Sequence, residues 1–318
     1  MAERRRAVTT YVLLNLVMIM NHADERLLPA VYYEVCSEFG VGPGFLGMVT
    51  AFRGIAQALV AVFAGPIAHR FDRVRLVGLG SIFWGASTAL VGASPSVGML
   101  LLGRALNGLG LGLVTPVVYS LISDMVPTHR RGRAYGLLNF CGGVGGTLGS
   151  LFATELAGRP AGTGLAGWRV AFHAIAAVSV AIGIATLRFG HSPHAGARAP
   201  GPGGSPAGLR ATLRHSWEEA RWVLRLRTFR VIIAQGAVGS APWQSMSFLT
   251  LFLELRGFTH HAAAVTRSLF DWGATFGTLL GGFLIDIAGR VSPNHGKVVV
   301  AQAGQRTPTP AHSPLLRC

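Results

Sequence analysis

GPIAHRFDR, residues 65–73, has a partner much later in the chain: GFLIDIAGR, residues 282–290. Both read Gly-x-x-x-polar-x-x-x-Arg, and both stand where a long apolar run gives way to charge. Working outward from them, apolar runs recur at roughly 8–33, 44–68, 74–94, 97–123, 134–157, 168–188, 229–254 and 263–288. Each is about the length needed to cross a bilayer as a helix. The two stretches follow the second and the eighth run, six runs apart. A repeat at that distance implies two related six-span halves, a common plan among secondary transporters.

Composition supports the same class. Half of the 318 residues are hydrophobic and only 13% are charged, against about 25% in soluble domains. Glycine is abundant, at 43 residues, as close helix packing in lipid favours. The formal charge of +15 raises the question of nucleic acid. That partner is excluded because the arginines stand in short loops between apolar runs and not in a soluble basic domain. Cys36, Cys141 and Cys318 fit no metal spacing and no disulfide framework. MAERRR at the start leads into an apolar run without a small-residue cleavage site, so the run is expected to be retained as a first span. No Walker-type loop, catalytic triad or metal cluster stands out, and neither an enzymatic site nor a cofactor is expected.

Basic residues alternate between loops: Arg4–Arg6, then Arg70, Arg73 and Arg75, then Arg130, Arg131 and Arg133, then the 189–228 segment, then Arg290 and Lys297. By the positive-inside rule these loops and the N-terminus are cytoplasmic. The expected product is an all-α, multi-pass integral membrane protein in contact with the lipid bilayer.

Further motifs now join the repeat. RALNGLGLG (104–112) lies in the fourth span and SDMVPTHRRGRAYG (123–136) follows it. In this order and topology the chain resembles the major facilitator superfamily, whose signature loop is Gly-x-x-x-Asp-Arg-x-Gly-Arg-Arg/Lys. The first copy keeps Gly65, Arg70, Arg73 and Arg75, with His69 for the usual Asp and Asp72 for the second Gly. The second keeps Gly282, Asp286, Gly289 and Arg290, with Ile287 where Arg is usual. Asn21 and Asp24 match the Asn-x-x-Asp motif of the spinster-like branch, and ADERLLPAVYYEV (23–35) with FRGIAQ (52–57) resembles its plant and algal relatives. The resemblance implies a major-facilitator-type helical bundle moving small organic solutes or lipid-like amphiphiles by alternating access, with proton coupling as a further expectation. It also implies that Gly65, Arg70, Arg73, Asp124, Arg131, Gly282, Asp286 and Arg290 form a cytoplasmic gate rather than a substrate site. GGVGGTLG (142–149) permits close backbone approach in the fifth span but lacks the proline of the antiporter motif.

His22, Asp24, Glu25 and Arg26 interrupt the first apolar run. At 1.5 Å per residue, Asp24 and Glu25 fall at the middle or outer half of that span, and Arg53 and Arg104 reach a similar depth. A lone charge there costs several kcal/mol, so the acids and arginines are expected to meet. Asn21, Asp24, Glu25, Arg53, Gln57, Arg104 and Asn107 are therefore the candidates for substrate or proton coupling. The competing reading is an ion-pair network that only fixes helix packing. Gln235, Gln244 and Asp271 are the second-half candidates; His22 and Arg26 are expected to sit together near the outer part of the first span, and Pro29 and Pro116 to kink their helices.

The domain plan is a six-span half over 1–188, a cytoplasmic linker over 189–228, two spans of a second half over 229–302, and a disordered tail over 303–318. The linker contains LRATLRHSWEEARWVLRLRTFR (209–230), an amphipathic helix with Leu213, Trp217, Ala220 and Leu224 on one face. AGQRTPTPAHSPLLRC (303–318) turns polar where a ninth span is due. The expectation is an incomplete carrier, and a truncated non-transporting isoform, partner subunit or sensor stays open beside the transporter.

Overall fold

The structure is a computed structural model that describes residues 2–157, 165–191, 217–218, 221–292, 295–296, 298–300 and 302. Helices run over Ala2–Ala30 (α1), Tyr32–Phe39 (α2), Pro43–Arg70 (α3), Arg73–Gly92 (α4), Val97–Met125 (α5), Arg131–Ala157 (α6), Gly167–Phe189 (α7), Arg227–Ser245 (α8), Leu249–Leu255 (α9) and His260–Val291 (α10). Single 3-10 turns stand at Thr128–Arg130 and Met246–Phe248. The described residues contain no strand.

Among the described residues, six helical segments are long and apolar enough to cross a membrane: Gly44–Ala68, Arg73–Gly92, Val97–Met125, Thr128–Ala157, Gly167–Phe189 and His261–Val291. Exposed apolar side chains such as Leu59, Val62, Leu79, Leu148, Ile184, Leu269 and Leu280 cover their outer faces. Such an unbroken apolar exterior suits lipid and not water. The protein is an integral, multi-pass membrane protein.

Two of the eight expected spans differ. In α1, the residues Asn15, Asn21, His22, Asp24, Glu25 and Arg26 dilute the apolar run, and these residues build the site below. The expected span at 229–254 is divided by the Met246–Phe248 turn into α8 and the short α9. Pro242 lacks a backbone N–H, and Ser240, Ser245 and Ser247 bond to local carbonyls or add polarity, so a continuous apolar helix is not sustained there. α8 is exposed over 227–240, Gln235 included, and Gln244 is exposed as well. Pro29, Pro66 and Pro116 all lie within continuous helices. Of the expected linker helix, residues 217–218 and 221–225 are helical with Trp217 and Trp222 exposed; the remainder, and the tail 303–318, lie outside the described residues.

Helices α1, α3, α4, α5, α6 and α7 form one bundle, with α1 against α6 and α7, α4 against α5 and α7, and α3 against α5. α10 runs along α6. Two apolar clusters lie one above the other. The first joins Leu14, Val17, Met18, Trp84, Leu111, Val118 and Leu138. The second joins Leu27, Leu28, Tyr32, Leu46, Leu100, Trp168 and Phe172. Between Met20 and Leu27 on α1, and between Leu100 and Leu111 on α5, lie the buried polar side chains Asn21, Asp24, Arg104 and Asn107. The polar layer is thus held between two well-packed apolar floors.

Glycine sets the depth of one crossing. A Cβ at Gly108 would stand 2.3 Å from the Arg53 carbonyl oxygen, and one at Gly112 would stand 2.4 Å from that of Gln57. Only a bare backbone lets α3 approach α5 closely enough for Arg53 to reach Asn107.

Candidate functional site

Asp24 is fully buried and accepts on both carboxylate oxygens. The Thr88 hydroxyl donates to Oδ1 at 2.5 Å, and Asn107 Nδ2 donates to Oδ2 at 2.9 Å. Asn107 Nδ2 also lies 2.9 Å from Thr88 Oγ1, and Asn107 Oδ1 accepts from Arg53 Nε at 3.0 Å. Arg53 in turn lies 3.6 Å from Glu25, whose other oxygen is 3.6 Å from His22 Nδ1. Helices α1, α3, α4 and α5 therefore meet in one connected chain of polar groups. Thr88 Oγ1 is also 3.0 Å from the Trp84 carbonyl, so its hydrogen has two acceptors.

Arg104 lies in the same layer, 2% exposed, and feels the charges of Arg53, Asp24 and Glu25. Its Nε and Nη1 are buried and unpaired. An arginine so placed is held by surrounding charge rather than by a direct partner, which is costly to bury. Asn21 turns elsewhere, donating to Thr115 Oγ1 at 3.0 Å. The side chain of Gln57 is half-buried and makes none of the hydrogen bonds of this chain.

A second group lies between α1, α6 and α10. His22 and Arg26 sit on the wall of one cavity. Arg26 reaches across to Asp271 at 3.3 Å. Both oxygens of Asp271 are engaged by Arg267, each at 3.0 Å, and Arg267 also bonds the Met246 carbonyl. Arg26 and Asp271 border this cavity of about 150 Å³, whose wall also holds His22, Asn139, Thr147 and Thr275. Sequence reasoning identified Asp271 and missed Arg267 and Thr88. The i, i+4 spacing of Arg267 and Asp271 was the available signal. For Thr88, one hydroxyl in an apolar run carries none.

At the end of the bundle where α3 meets α4, Arg73 bonds Asp124 and donates to Ser120 Oγ at 3.1 Å. Arg131 Nε donates to the Val126 carbonyl at 3.2 Å. Asp286 is buried and accepts from the backbone N–H groups of Gly132 and Arg133 at 3.0 and 2.9 Å, which seats its charge on the N-terminus of α6. Gly282 packs against Gly136, bringing the two backbones together there. Gly65 is exposed with open space where a Cβ would stand, and Arg290 is exposed. The side chains of His69 and Arg70 lie outside the described residues.

At the opposite end, Glu38 on α2 accepts from Trp168 Nε1 at 2.5 Å and from Arg169 Nη2 at 2.7 Å. Arg169 also donates to the Gly92 carbonyl at 2.9 Å and lies over the Trp168 ring. Nearby Cys36 is half-buried, and burial pushes its thiol pKa up.

The profile of the Major Facilitator Superfamily matches residues 14–301. A probable sulfoacetate transporter, SauU, of Cupriavidus necator is 25% identical over 291 residues, covering 89% of this chain and 66% of the relative. The niacin transporter NiaP of Acinetobacter baylyi is 29% identical over 149 residues, covering 47% of this chain and 33% of the relative. The chain thus spans a third of one relative's length and just under two thirds of the other's. Among solved structures, a bacterial homolog of the human lysosomal transporter Spinster, inward-facing and unoccupied, superposes with a TM-score of 0.68 at 21% identity. It covers 91% of this chain and 64% of that one. The proton:xylose symporter XylE gives a TM-score of 0.67 at 14% identity over 89% and 70%.

Proposed function

The chain belongs to the Major Facilitator Superfamily, and from that membership we propose that it acts in the transport of small organic solutes or lipid-like amphiphiles across a membrane by alternating access, with a proton carried at Asp24. The cytoplasmic side is the one bearing Arg73, Asp124 and Asp286, in keeping with the basic loops. The likeness to the Spinster homolog and the Asn21/Asp24 pair together support the spinster-like branch.

The observation that carries the proton step is the two-way hydroxyl of Thr88. With Asp24 ionised, Thr88 donates to it at 2.5 Å. With Asp24 protonated, the acid donates to Thr88, whose own hydrogen turns to the Trp84 carbonyl 3.0 Å away. Both states leave the Asp24 carboxyl and the Thr88 hydroxyl bonded, so this pair can hold a proton or release it without losing its own hydrogen bonds. Losing the charge of Asp24 loosens the hold on Arg104 and Arg53, which links protonation to the packing of α3 and α5 against α1.

Relatives named for niacin and sulfoacetate, and the xylose symporter, supply a first panel of solutes. The experiment is uptake of labelled nicotinate, sulfoacetate and xylose by vesicles containing the purified protein, compared with Asp24→Asn. Loss of net uptake with normal membrane insertion is expected; wild-type uptake by the Asn variant at every pH tested overturns the role of Asp24. A second reading, a partner subunit or sensor that binds solute without moving it, draws on the exposure of α8 along residues 227–240. Saturable binding with no uptake would select it.

A further inference from the structure

The charges of the two polar clusters do not cancel. The two neighbouring clusters contain three carboxylates, Asp24, Glu25 and Asp271, and four guanidinium groups, Arg26, Arg53, Arg104 and Arg267. With His22 neutral, the balance is three negative against four positive, or +1. In an apolar surround an excess charge is costly unless a counter-charge meets it.

The geometry locates the excess. Asp24 and Glu25 face Arg53 and Arg104 within the first cluster. Asp271 gives both oxygens to Arg267 at 3.0 Å, so its capacity is largely taken. Arg26 touches the same carboxylate only through Nη1 at 3.3 Å, and its side chain keeps 35% of its surface open. That surface borders the cavity of about 150 Å³, where Asn139, Thr147 and Thr275 add an amide and two hydroxyls. His22 and Asp271 are the other titratable groups on its wall, from α1 and α10.

We propose that this cavity is a subsite for a small monovalent organic anion, whose carboxylate or sulfonate group is held by Arg26, the arginine whose own partner Asp271 is already engaged on both oxygens by Arg267. The inference rests on the transport reading and adds the charge of the ligand to it. Because α1 supplies Arg26 and α10 supplies Asp271, an anion seated there bridges the two parts of the molecule that the pair now joins. The fork of a guanidinium suits a planar or tripodal oxyanion with two parallel bonds.

The test uses benzenesulfonate, which stays anionic throughout the working pH range, and neutral benzenesulfonamide, which has nearly the same shape. Binding is measured by scintillation proximity on the purified full chain in detergent, with folding checked by thermal unfolding and size exclusion. The wild type is expected to prefer the sulfonate by about tenfold or more, the worth of one charge-assisted hydrogen-bond pair. Arg26→Gln should erase the preference and Arg26→Lys should keep part of it. Asp271→Asn is the decisive sign: removing the competing carboxylate should tighten sulfonate binding by several-fold. Equal binding of the two probes by folded wild type, no sulfonate binding at all, or weaker binding in a folded Asp271→Asn variant overturns the anion subsite. None of those results touches the transport reading, which uptake of a neutral solute would still satisfy.

Discussion

Replacing Thr88 with valine removes a hydroxyl and leaves the shape of the side chain nearly intact. The structure gives that oxygen three neighbours: Asp24 Oδ1 at 2.5 Å, Asn107 Nδ2 at 2.9 Å and the Trp84 carbonyl at 3.0 Å. The Trp84 carbonyl still has its helical partner, so little is lost there. Asn107 keeps its bond to Asp24. The main loss is the bond to a buried carboxylate, about 1.5–3 kcal/mol for a charged acceptor. Hydrogen bonds between membrane helices average only about 0.6 kcal/mol, because the unfolded chain finds partners too. Asp24 is fully buried and has no third donor among the described residues, so the charged-acceptor figure governs, and about 2 kcal/mol is expected. For a protein of this size that lowers the unfolding midpoint by about 4–8 °C. Thermal unfolding in detergent, followed by tryptophan fluorescence, measures it, with Trp84 close enough to report. Thr88→Ser keeps the hydroxyl and should cost less than about 1 kcal/mol. A valine variant within 1 °C or so of wild type, or a serine variant as damaged as valine, would refute the claim that this hydroxyl completes the Asp24 site.

Three further outcomes follow from the packing. Gly112→Ala places a methyl 2.4 Å from the Gln57 carbonyl, and should cost about 1–3 kcal/mol and lower surface expression, whereas alanine at Gly98, with open space around it, should be tolerated. Asp286→Ala strips two backbone N–H groups at the start of α6 of their acceptor and should destabilise by about 2 kcal/mol, with Asp286→Asn falling between it and wild type in the same unfolding assay. Arg73→Ala should cost under about 1 kcal/mol because both members of the Arg73–Asp124 pair are about a third exposed, so a drop of more than 5 °C or so would contradict that screening argument.

The helical class and most of the polar layer were legible in the sequence because both follow from rise per residue and the cost of charge in hydrocarbon. Counting along each span brings Asp24, Arg53 and Arg104 to one depth, and the structure links Asp24 to Arg53 through Asn107 by 2.9 and 3.0 Å bonds. Depth alone does not give direction around a helix. It left Asn21 facing Thr115 unforeseen, and it gave no sign that the Arg26 guanidinium reaches across to Asp271. Thr88 was invisible because a threonine in an apolar run usually bonds its own helix, as this one also does through Trp84. The division of the 229–254 run came from Pro242 and the serines around it, whose polarity a run-length reading averages away. The second loop motif was visible, yet only the fold revealed that Asp286 seats on the start of α6 while Gly65, its counterpart's first glycine, stands in open space.

We propose above that Asp24 carries a proton coupled to solute movement. It is tested by a pair of assays on proteoliposomes loaded with the purified protein: accumulation, driven by a pH gradient, of whichever labelled solute of the nicotinate, sulfoacetate and xylose panel the wild type takes up, and exchange of the same solute at equal concentrations across the membrane. Wild type is expected to do both, and Asp24→Asn, permanently neutral, to retain exchange and lose accumulation. Gradient-driven accumulation by the Asn variant equal to wild type would contradict it.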